Sequence, residues 1–444
     1  MSSGLQNAIE TLYGLERRRS DFRVEDTARL LAELGDPHRR FRSVHVAGTN
    51  GKGSVCTLVE RVLRAAGLRT GLTTSPHLVD YRERIRIAGQ WPESGELEQR
   101  LAAIQALEAA RGRTFFEVTT ALAFDAFARH GVEWAIVEVG LGGRLDATNV
   151  LTPEVCAITS VGLDHTEMLG PTLADVAREK AGIIKPRVPV VVGALPEAAA
   201  STVLEIARSR NPVLLGEQPG ERTPVYFEAL KRVDISNARL DADGARFDAE
   251  CTPWKGLKLS IALRGVHQVD NARVALAILS VLAERGLALP ASAVRDGFAA
   301  ARWPGRLEPC PREPRLWWDG AHNLDGLDRL VTAWPNDLAL PPPGAIVFAA
   351  SRDKPVAEML ERLYAFAPNA MLFATRTRNE RSMPAKQLGA HAVAAGWQPQ
   401  LHDDVGEAIA DALAQTRGRV LLVGSLFAVG EAMQRFGGAP EACS

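Results

Sequence analysis

The sequence lacks the features of a secreted or membrane protein. Its five cysteines are scattered and include no Cys-x-x-Cys pair, which argues against a disulfide framework and fits a reducing compartment. The first twenty residues become charged where a signal peptide needs an apolar stretch. No run approaches the roughly 18 apolar residues of a membrane span. We therefore expect a cytoplasmic protein without a membrane partner.

An excess of positive charge is also absent. The chain carries 52 basic and 53 acidic side chains, for a formal net charge of −1. Proteins that bind nucleic acid usually have a basic excess, so we expect no nucleic-acid partner. Small anionic molecules stay possible, because a balanced surface can hold a local basic pocket. The 444 residues allow two or three domains.

Short apolar, β-branched runs alternate with longer helical patterns, which predicts an α/β fold with parallel sheets. The predicted strands are residues 44–47, 134–139, 155–159, 188–192, 345–350 and 420–423. The predicted helices include residues 54–66, 96–110 and 118–129. We expect the hydroxyl of Ser94 to cap the second of these helices.

Two features divide the chain. Alternating polar and apolar residues between 224 and 263 predict an antiparallel hairpin or meander with a turn at Asp243 and Gly244. Proline and glycine in segment 302–306 mark the end of the first α/β pattern, which restarts afterwards. We predict an N-terminal domain of residues 1–301 and a smaller C-terminal domain of residues 302–444.

A glycine-rich loop joins a predicted strand to a predicted helix, and it consists of Gly48, Thr49, Asn50, Gly51, Lys52, Gly53 and Ser54. Backbone N–H groups in such loops point at phosphates, and the helix N-terminus favours anions. Lys52 is expected to reach the β- and γ-phosphates, and Ser54 to cap the helix or help hold Mg²⁺. The loop departs from the common pattern, since Val46 replaces its first glycine and Gly53 its hydroxyl residue. A simple strand–helix turn with a chance lysine is the alternative.

Polar residues follow three other predicted strands, where ligands bind in open α/β sheets. Ser75 lies in a loop, Glu138 interrupts an apolar strand, and His165 follows Asp164. A hydroxyl, a carboxylate and an imidazole near a phosphate loop suit Mg²⁺ that bridges ATP phosphates. The alternatives are a loop-capping Ser75, a structurally paired Glu138 and a hydrogen-bonded core His165.

Four later residues are weaker candidates. Taken alone, Lys180 is a surface lysine or the partner of a carboxylate, although a lysine with a lowered pKa reacts as a free amine. Asn271 opens an alanine-rich helix and could hydrogen-bond an adenine. Arg306 and Asp319 would make catalysis depend on domain closure if they reached a nucleotide on the first domain. A plain turn is the alternative for residues 319–323.

Ten segments together resemble the folylpolyglutamate synthase/dihydrofolate synthase family. In chain order they read HVAGTNGKGS, TSPHL, FFEVTT, VEVGLGGRLDATN, TSVGLDHT, REKAGIIK, HQVDNA, RWPGRLE, DGAHN and VGSLF. The resemblance spans residues 41–427. It implies a Mur-ligase-like ATPase domain with a P-loop and a parallel sheet, a smaller Rossmann-like C-terminal domain, and an active site in the cleft between them.

The resemblance also implies residue roles. Residues 48–54 would hold the triphosphate of ATP, and Asn271, Arg306 and Asp319 would contact the nucleotide. Ser54, Ser75, Glu138 and His165 would bind Mg²⁺, and a carbamylated Lys180 would hold a second Mg²⁺. Lys52, Lys180 and His322 are implied as catalytic residues. His322 and Ser425 would also place the glutamate. The residues implied around the pteridine end of the substrate are Thr114, Phe115, Phe116, Glu117, Arg144, Leu145, Asp146 and Ala147.

The implied reaction is ATP-dependent ligation of L-glutamate to dihydropteroate, to a reduced folate, or to both. The substrate carboxylate attacks the γ-phosphate to give an acyl phosphate, and the amine of glutamate then displaces phosphate. Lys52 and Mg²⁺ would offset the repulsion among these anions. Residues 20–27 depart from the glycine- and leucine-rich segment of the family, which leaves the acceptor open.

Two other functions are weighed against this one. A peptidoglycan-building Mur ligase would need a UDP-binding domain before the loop, and 47 residues are too few for it. A nucleotide-dependent regulator would need the loop but not the set of Glu138, His165 and Lys180. We therefore expect a monomeric ligase acting on small molecules.

Overall fold

The computed structural model describes residues 3–13, 23–210 and 226–440. The helices are α1 Ser3–Tyr13, α2 Val24–Glu33, α3 Lys52–Ala65, α4 Ser94–Gln105, α5 Phe115–Arg129, α6 Thr166–Leu169, α7 Leu173–Ala181, α8 Glu197–Arg210, α9 Ala229–Arg232, α10 Val266–Glu284, α11 Ala291–Ala300, α12 Leu324–Asn336, α13 Val356–Phe366, α14 Ala385–Ala394, α15 Val405–Gln415 and α16 Leu426–Phe436.

Sixteen strands occur in this part of the chain. They are β1 Arg42–Ala47, β2 Thr70–Thr73, β3 Ile85–Ile87, β4 Trp134–Glu138, β5 Val155–Ile158, β6 Val190–Val192, β7 Tyr226–Glu228, β8 Asp234–Asp241, β9 Gly244–Cys251, β10 Trp254–Ile261, β11 Glu308–Pro309, β12 Leu316–Trp318, β13 Ala345–Phe348, β14 Met371–Thr375, β15 Gln400–His402 and β16 Val420–Val423.

Seven strands form the N-terminal sheet in the order β3-β2-β4-β1-β5-β6-β7. All neighbouring strands are parallel except β3, which runs antiparallel to β2. The apolar strands β4 and β5 flank β1 and are fully buried, because helices cover both faces of a parallel sheet. The carboxyl ends of β1, β2, β4 and β5 therefore open onto one edge of the sheet.

A separate three-stranded antiparallel sheet has the order β10-β9-β8. From Leu257 to Ile261, the residues of β10 alternate between buried and exposed. The buried side chains of β9 and β10 join the core that contains the apolar side of α10. This sheet thus covers α10, the helix that carries Asn271.

The C-terminal sheet has the order β11-β12-β16-β13-β14-β15, and only β11 is antiparallel to its neighbour. Its apolar strands are buried between two helical layers. The central strands β12, β16 and β13 end side by side. Their carboxyl ends carry the loops that begin at Asp319, Gly424 and Ala349.

The α/β fold and the meander are confirmed, with local corrections. The predicted cap at Ser94 is wrong: Ser94 is the first residue of α4, and no side chain caps this helix. The helix predicted for residues 96–110 ends at Gln105, and a short 3-10 turn, Glu108–Ala110, follows it. Residues 226–228 pair with β6 in the large sheet and not with the meander.

Some predictions lie outside these observations. The departure noted at residues 20–27 falls partly outside the described residues, as do residues 224 and 225. The boundary between residues 301 and 302 stays a prediction. In the described chain, every helix is too short or too polar to cross a membrane.

Candidate functional site

The phosphate loop is fixed by the neighbouring loop after β5. The backbone N–H of Thr49 donates to the carbonyl of Ser160 at 2.9 Å, and the N–H of Asn50 donates to the Ser160 hydroxyl at 2.9 Å. Gly51 has a left-handed backbone (φ 84°), and a Cβ there would lie 2.2 Å from Oδ1 of Asn271. The Nζ of Lys52 donates to the carbonyls of Gly48 and Thr49 at 2.9 and 3.1 Å. These contacts fix the backbone of the loop, and the side chain of Lys52 lies against the loop's own carbonyl groups.

The unusual Gly53 has a steric cause. A Cβ at position 53 would lie 2.3 Å from Cζ2 of Trp303, so the indole ring occupies the space of any larger side chain. Trp303 belongs to segment 302–306 and lines the cleft with Arg306. The glycine therefore lets the segment between the two sheets pack against the start of α3. The next residue, Ser54, is buried at the cleft wall.

The predicted residues of the N-terminal sheet meet in this cleft. Ser75, Glu138, His165 and Lys180 line it together with the phosphate loop. The N–H of Ser75 donates to Oε2 of Glu138 at 3.1 Å. Burial raises the pKa of Glu138, against the opposing charge of Lys52. In the described chain, no other group hydrogen-bonds this carboxylate, so its second oxygen is open to a cation.

Lys180 lies at the end of α7 and is not a surface residue. Its side chain is 4% exposed. Burial, aided by the charge of Lys52, lowers the pKa of Lys180 to about 7. Its ammonium has no hydrogen-bond or ion-pair partner among residues 3–13, 23–210 and 226–440. Such a lysine is a neutral nucleophile in a large fraction of molecules at neutral pH.

Asp164 and His165 follow β5 and face the C-terminal sheet. Burial alone would raise the pKa of the Asp164 carboxyl, but the ammonium of Lys354, through its charge and its hydrogen bond, holds this pKa below its ordinary value. Burial lowers the pKa of His165, with Asp164 opposing. The imidazole is therefore neutral at pH 7 and can act as a ligand.

Three predicted residues line the C-terminal wall of the cleft: Arg306, Asp319 and His322. The carboxylate of Asp319 accepts the N–H groups of Leu307 and Ala321, each at 2.7 Å. Burial raises the pKa of Asp319, with Arg306 opposing. Burial and the charge of Lys354 lower the pKa of His322 to about 4. The Nδ1 of His322 lies 2.8 Å from the carbonyl of Gly320 and therefore donates to it. In the neutral ring, Nε2 is then left as a hydrogen-bond acceptor.

Asn271 lies on the first turns of α10 and also lines the cleft. Its Nδ2 donates to Oε1 of the buried Gln268 at 2.9 Å, and its Oδ1, beside Gly51, accepts no hydrogen bond from any residue that the structure describes. An amide acceptor beside the phosphate loop suits the amino group of an adenine.

The residues implied for the pteridine end lie beside the cleft and outside its immediate lining. Thr114 and Glu117 form a capping box at the start of α5, and Phe115 is a core residue stacked on Tyr13. The ring of Phe116 packs against Gly140, which lines the cleft. A Cβ on Gly140 would lie 2.4 Å from this ring. The substrate roles of these residues stay predictions.

The second implied set, residues 144–147, also carries structural interactions. Arg144 pairs with Glu179 at 2.9 Å. Asp146 and Ala147 are buried, and Asp146 accepts hydrogen bonds from Leu141 and Thr148. Leu145 is 41% exposed. After β16, the Ser425 hydroxyl caps α16. The substrate roles of these five residues stay predictions.

Sequence reasoning missed a set of contacts across the cleft. The Nδ2 of Asn50 donates to Oδ2 of Asp325 at 2.7 Å and to Oδ1 of Asn323 at 3.2 Å. The Nζ of Lys354 donates to Oδ1 of Asp164 at 2.6 Å. Lys354 could have been identified by its position in the sequence, because it follows β13 just as residues 319–323 follow β12.

The comparisons identify the class of this protein. A family model described as the Mur ligase middle domain matches residues 46–279. The dihydrofolate synthase/folylpolyglutamate synthase of Escherichia coli is 34% identical over 447 aligned residues, which cover 98% of this chain and 96% of that protein. The structure of E. coli FolC in complex with DHPP and ADP has a TM-score of 0.82, 30% identity and 98% coverage of both chains.

The chain belongs to the folylpolyglutamate synthase/dihydrofolate synthase family, and it is an ATP-dependent amide ligase. Some relatives are longer. A "Probable bifunctional folylpolyglutamate synthase/dihydropteroate synthase" of Haloferax volcanii is 35% identical over 96% of this chain, which spans only 50% of that protein.

Proposed function

We propose that this chain ligates L-glutamate to dihydropteroate, to the γ-carboxylate of a reduced folate, or to both, at the expense of ATP. The observation that carries the proposal is the cleft where both sheets present their strand ends. One wall has the phosphate loop, Glu138 and Lys180, and the other has Arg306 and His322. The names of the E. coli relative and the DHPP and ADP in its structure support the substrates.

The loop of residues 48–54 holds the triphosphate of ATP in this proposal. Its backbone N–H groups and the start of α3 favour an anion, and Lys52 is already placed above the loop by its contacts to Gly48 and Thr49. On phosphate binding, Lys52 exchanges these carbonyls for phosphate oxygens. Asn271 takes the adenine through its open Oδ1.

Ser75, Glu138 and His165 would hold Mg²⁺ in this proposal. The residues fit the ion, because Glu138 is a buried carboxylate with an open oxygen and a pKa raised by burial, and a cation would relieve that penalty. No three His, Cys, Asp or Glu side chains among the described residues form a metal site by themselves. Hydroxyl, carbamate, phosphate and water oxygens would complete the ligand set. When bound, Mg²⁺ would neutralise charge on the transferring phosphoryl group.

Lys180 supplies the missing carboxylate as a carbamate. Its neutral amine attacks the carbon of CO₂, an N–C bond forms, and the amine loses a proton to solvent. The buried position and the pKa of about 7 make the free amine available. The resulting anion would replace a cation that has no partner in this part of the cleft, and it adds oxygen ligands for a second Mg²⁺.

His322 and Arg306 act from the C-terminal wall. The substrate carboxylate attacks the γ-phosphorus, ADP leaves, and the amine of glutamate then attacks the acyl carbon and releases phosphate. The cationic Arg306 can orient these anions as the cleft closes. The Nε2 of the neutral His322 can accept a hydrogen bond from the amine of glutamate. Residues 114–117 and 144–147 surround the acceptor, and Ser425 contacts the glutamate. The monomeric state and the cytosolic location stay predictions.

A single assay tests the function. The protein is incubated with ATP, Mg²⁺ and glutamate, with dihydropteroate in one reaction and tetrahydrofolate in another. The masses of the products are then measured by mass spectrometry. We expect one or both acceptors to gain a glutamate residue, with release of ADP that requires glutamate. Lys52→Met should abolish this, whereas Lys386→Met, at an exposed position on α14, should not. If neither acceptor gains mass while ATP is still hydrolysed, the ligase proposal is wrong.

A further inference from the structure

A buried histidine on the central strand β1 is linked to the wall of the cleft. His45 is fully buried, and its Nε2 lies 2.7 Å from the hydroxyl of Thr148. The Thr148 hydroxyl donates in turn to Oδ1 of Asp146. The Oδ2 of Asp146 accepts the backbone N–H of Leu141 at 2.9 Å. A series of three hydrogen bonds therefore runs from His45 to segment 140–142, which lines the cleft.

The direction of these hydrogen bonds fixes the proton on the His45 ring. Burial, aided by the charge of Lys185, lowers the pKa of His45 to about 3, so the ring is neutral and only one nitrogen carries a proton. Burial raises the pKa of Asp146, but the three hydrogen bonds that it accepts favour its ionised form. The single hydroxyl proton of Thr148 goes to this carboxylate. The Thr148 oxygen must then accept, so Nε2 of His45 is the donor.

The other ring nitrogen of His45, Nδ1, has no hydrogen-bond partner among the residues that the structure describes. A buried nitrogen without a partner costs free energy, and an apolar side chain at this position would avoid that cost. The donor at Nε2 is therefore the property that distinguishes a histidine from an apolar residue here. It acts on Thr148 and does more than fill the core.

Other parts of the site have their own support. The Nδ2 of Asn149 donates to the carbonyl of Arg144 at 3.0 Å and holds the far end of the same loop. The phosphate loop is held by Ser160, and no hydrogen bond joins it to residues 140–148 in the described chain. Loss of the His45 donor should therefore loosen the cleft end of this loop and leave the phosphate loop in place.

We propose that His45 is a positioning residue that fixes segment 140–142 for binding of the acceptor. The inference rests on the proposed function, in which residues 144–147 lie beside the acceptor. Through Thr148 and Asp146, the donor at Nε2 holds the backbone of this wall before the acceptor arrives. Less of the wall then has to be ordered during binding, which strengthens the affinity for the acceptor.

The test uses the full chain and a matched set of substitutions. His45→Gln places an amide nitrogen where Nε2 lies and keeps the donor, whereas the shorter His45→Asn has its amide at the position of Nδ1 and loses that donor. Val44→Ala, a buried residue on the opposite face of β1, controls for the loss of buried volume. Thr148→Val interrupts the same hydrogen bonds and provides a second variant if His45→Asn does not fold.

Two properties of each variant are measured. The dissociation constants of dihydropteroate and tetrahydrofolate are measured by fluorescence titration in the presence of a non-hydrolysable ATP analogue. The dissociation constant of the analogue itself is measured by calorimetry. Hydrogen exchange of the backbone N–H groups in peptides that cover residues 140–148 is followed by mass spectrometry.

We expect His45→Asn and Thr148→Val to weaken acceptor binding by about 5–10-fold, the size of one buried hydrogen bond. Both should speed hydrogen exchange in residues 140–148 and leave the affinity for the ATP analogue unchanged. His45→Gln should restore acceptor binding and slow exchange, and Val44→Ala should change neither.

The proposal is wrong if His45→Asn binds the acceptor like the parent, if it loses affinity for the acceptor and the ATP analogue equally, or if Val44→Ala has the same effect. If the parent binds neither acceptor, the ligase function fails. Exchange that is faster in His45→Asn but not in His45→Gln would then still support the role of His45 in holding the loop, and equal exchange in the two variants would refute it.

Discussion

Replacement of Lys180 by methionine should make the protein more stable and inactive. An ordinary lysine is a free amine in about one molecule in 3,000 at pH 7, whereas a pKa of about 7 gives about one half. The same shift opposes folding, because the unfolded chain holds this proton more tightly than the folded protein. At pH 7 the penalty is about 4 kcal/mol. Methionine has a similar volume and no charge, so it removes the penalty.

The sign of the pH dependence follows from the direction of the shift. The penalty is complete below pH 7, where both states are protonated, and it disappears as the pH approaches 10.5, the ordinary pKa of lysine. Between these limits the unfolded chain binds more protons, so stability rises with pH. From pH 7 to pH 9 the contribution of Lys180 to the free energy of unfolding should grow by about 2 kcal/mol.

Urea unfolding of the parent and of Lys180→Met at both pH values measures this contribution. The buffers must be free of CO₂ and nucleotide, since a carbamate would remove the titrating amine. Lys386→Met, at an exposed site, controls for general effects of losing a lysine. If the parent and Lys180→Met show the same change in unfolding free energy between pH 7 and pH 9, Lys180 does not have the lowered pKa, and the argument for its carbamylation loses its basis.

Three further substitutions test other parts of the site. Glu138→Gln should lower turnover by at least about 100-fold without destabilising the fold, because it removes a buried charge that the metal requires. Glu361→Gln, on the exposed side of α13, is the control. Retained turnover in Glu138→Gln would show that Glu138 is not a metal ligand. Gly53→Ala should lower the unfolding free energy by about 1–3 kcal/mol, because the new methyl group would clash with Trp303. The control Gly95→Ala, where a Cβ would meet nothing within 4 Å, should stabilise α4. Equal effects of the two substitutions on the urea midpoint would contradict the packing argument. Thr114→Ala should lower the free energy of unfolding by about 1 kcal/mol, because α5 loses its cap. Thr114→Ser should keep both stability and activity. A Thr114→Ser variant that is stable but fails to bind the acceptor would indicate direct substrate contact.

The strands and their carboxyl ends could be predicted from the sequence because each signal is local. A run such as Val420–Val423 is apolar and β-branched, and it is a strand with the predicted bounds. Glu138 and His165 were identified by their positions after such runs, and the structure places both in the cleft. The rules of parallel sheets were sufficient to bring these residues to one edge.

The cross-cleft contacts could not be predicted because they depend on packing. Asn50 and Asn323 are 273 residues apart, and no periodicity links them. The reason for Gly53 became visible only with the position of the Trp303 ring. Ser94 shows a local failure: a serine with capping potential stands one residue too late, inside the first turn of α4.

The opposed sheets have a consequence for the electric field of the cleft. Helices α3, α12 and α16 each begin at this cleft, after the carboxyl ends of β1, β12 and β16. Each helix start carries about half a positive charge from its peptide dipoles. Three helix starts beside one volume add a positive potential to it that belongs to the backbone. It persists through side-chain substitution and titration, and it exists fully only while the two sheets face each other.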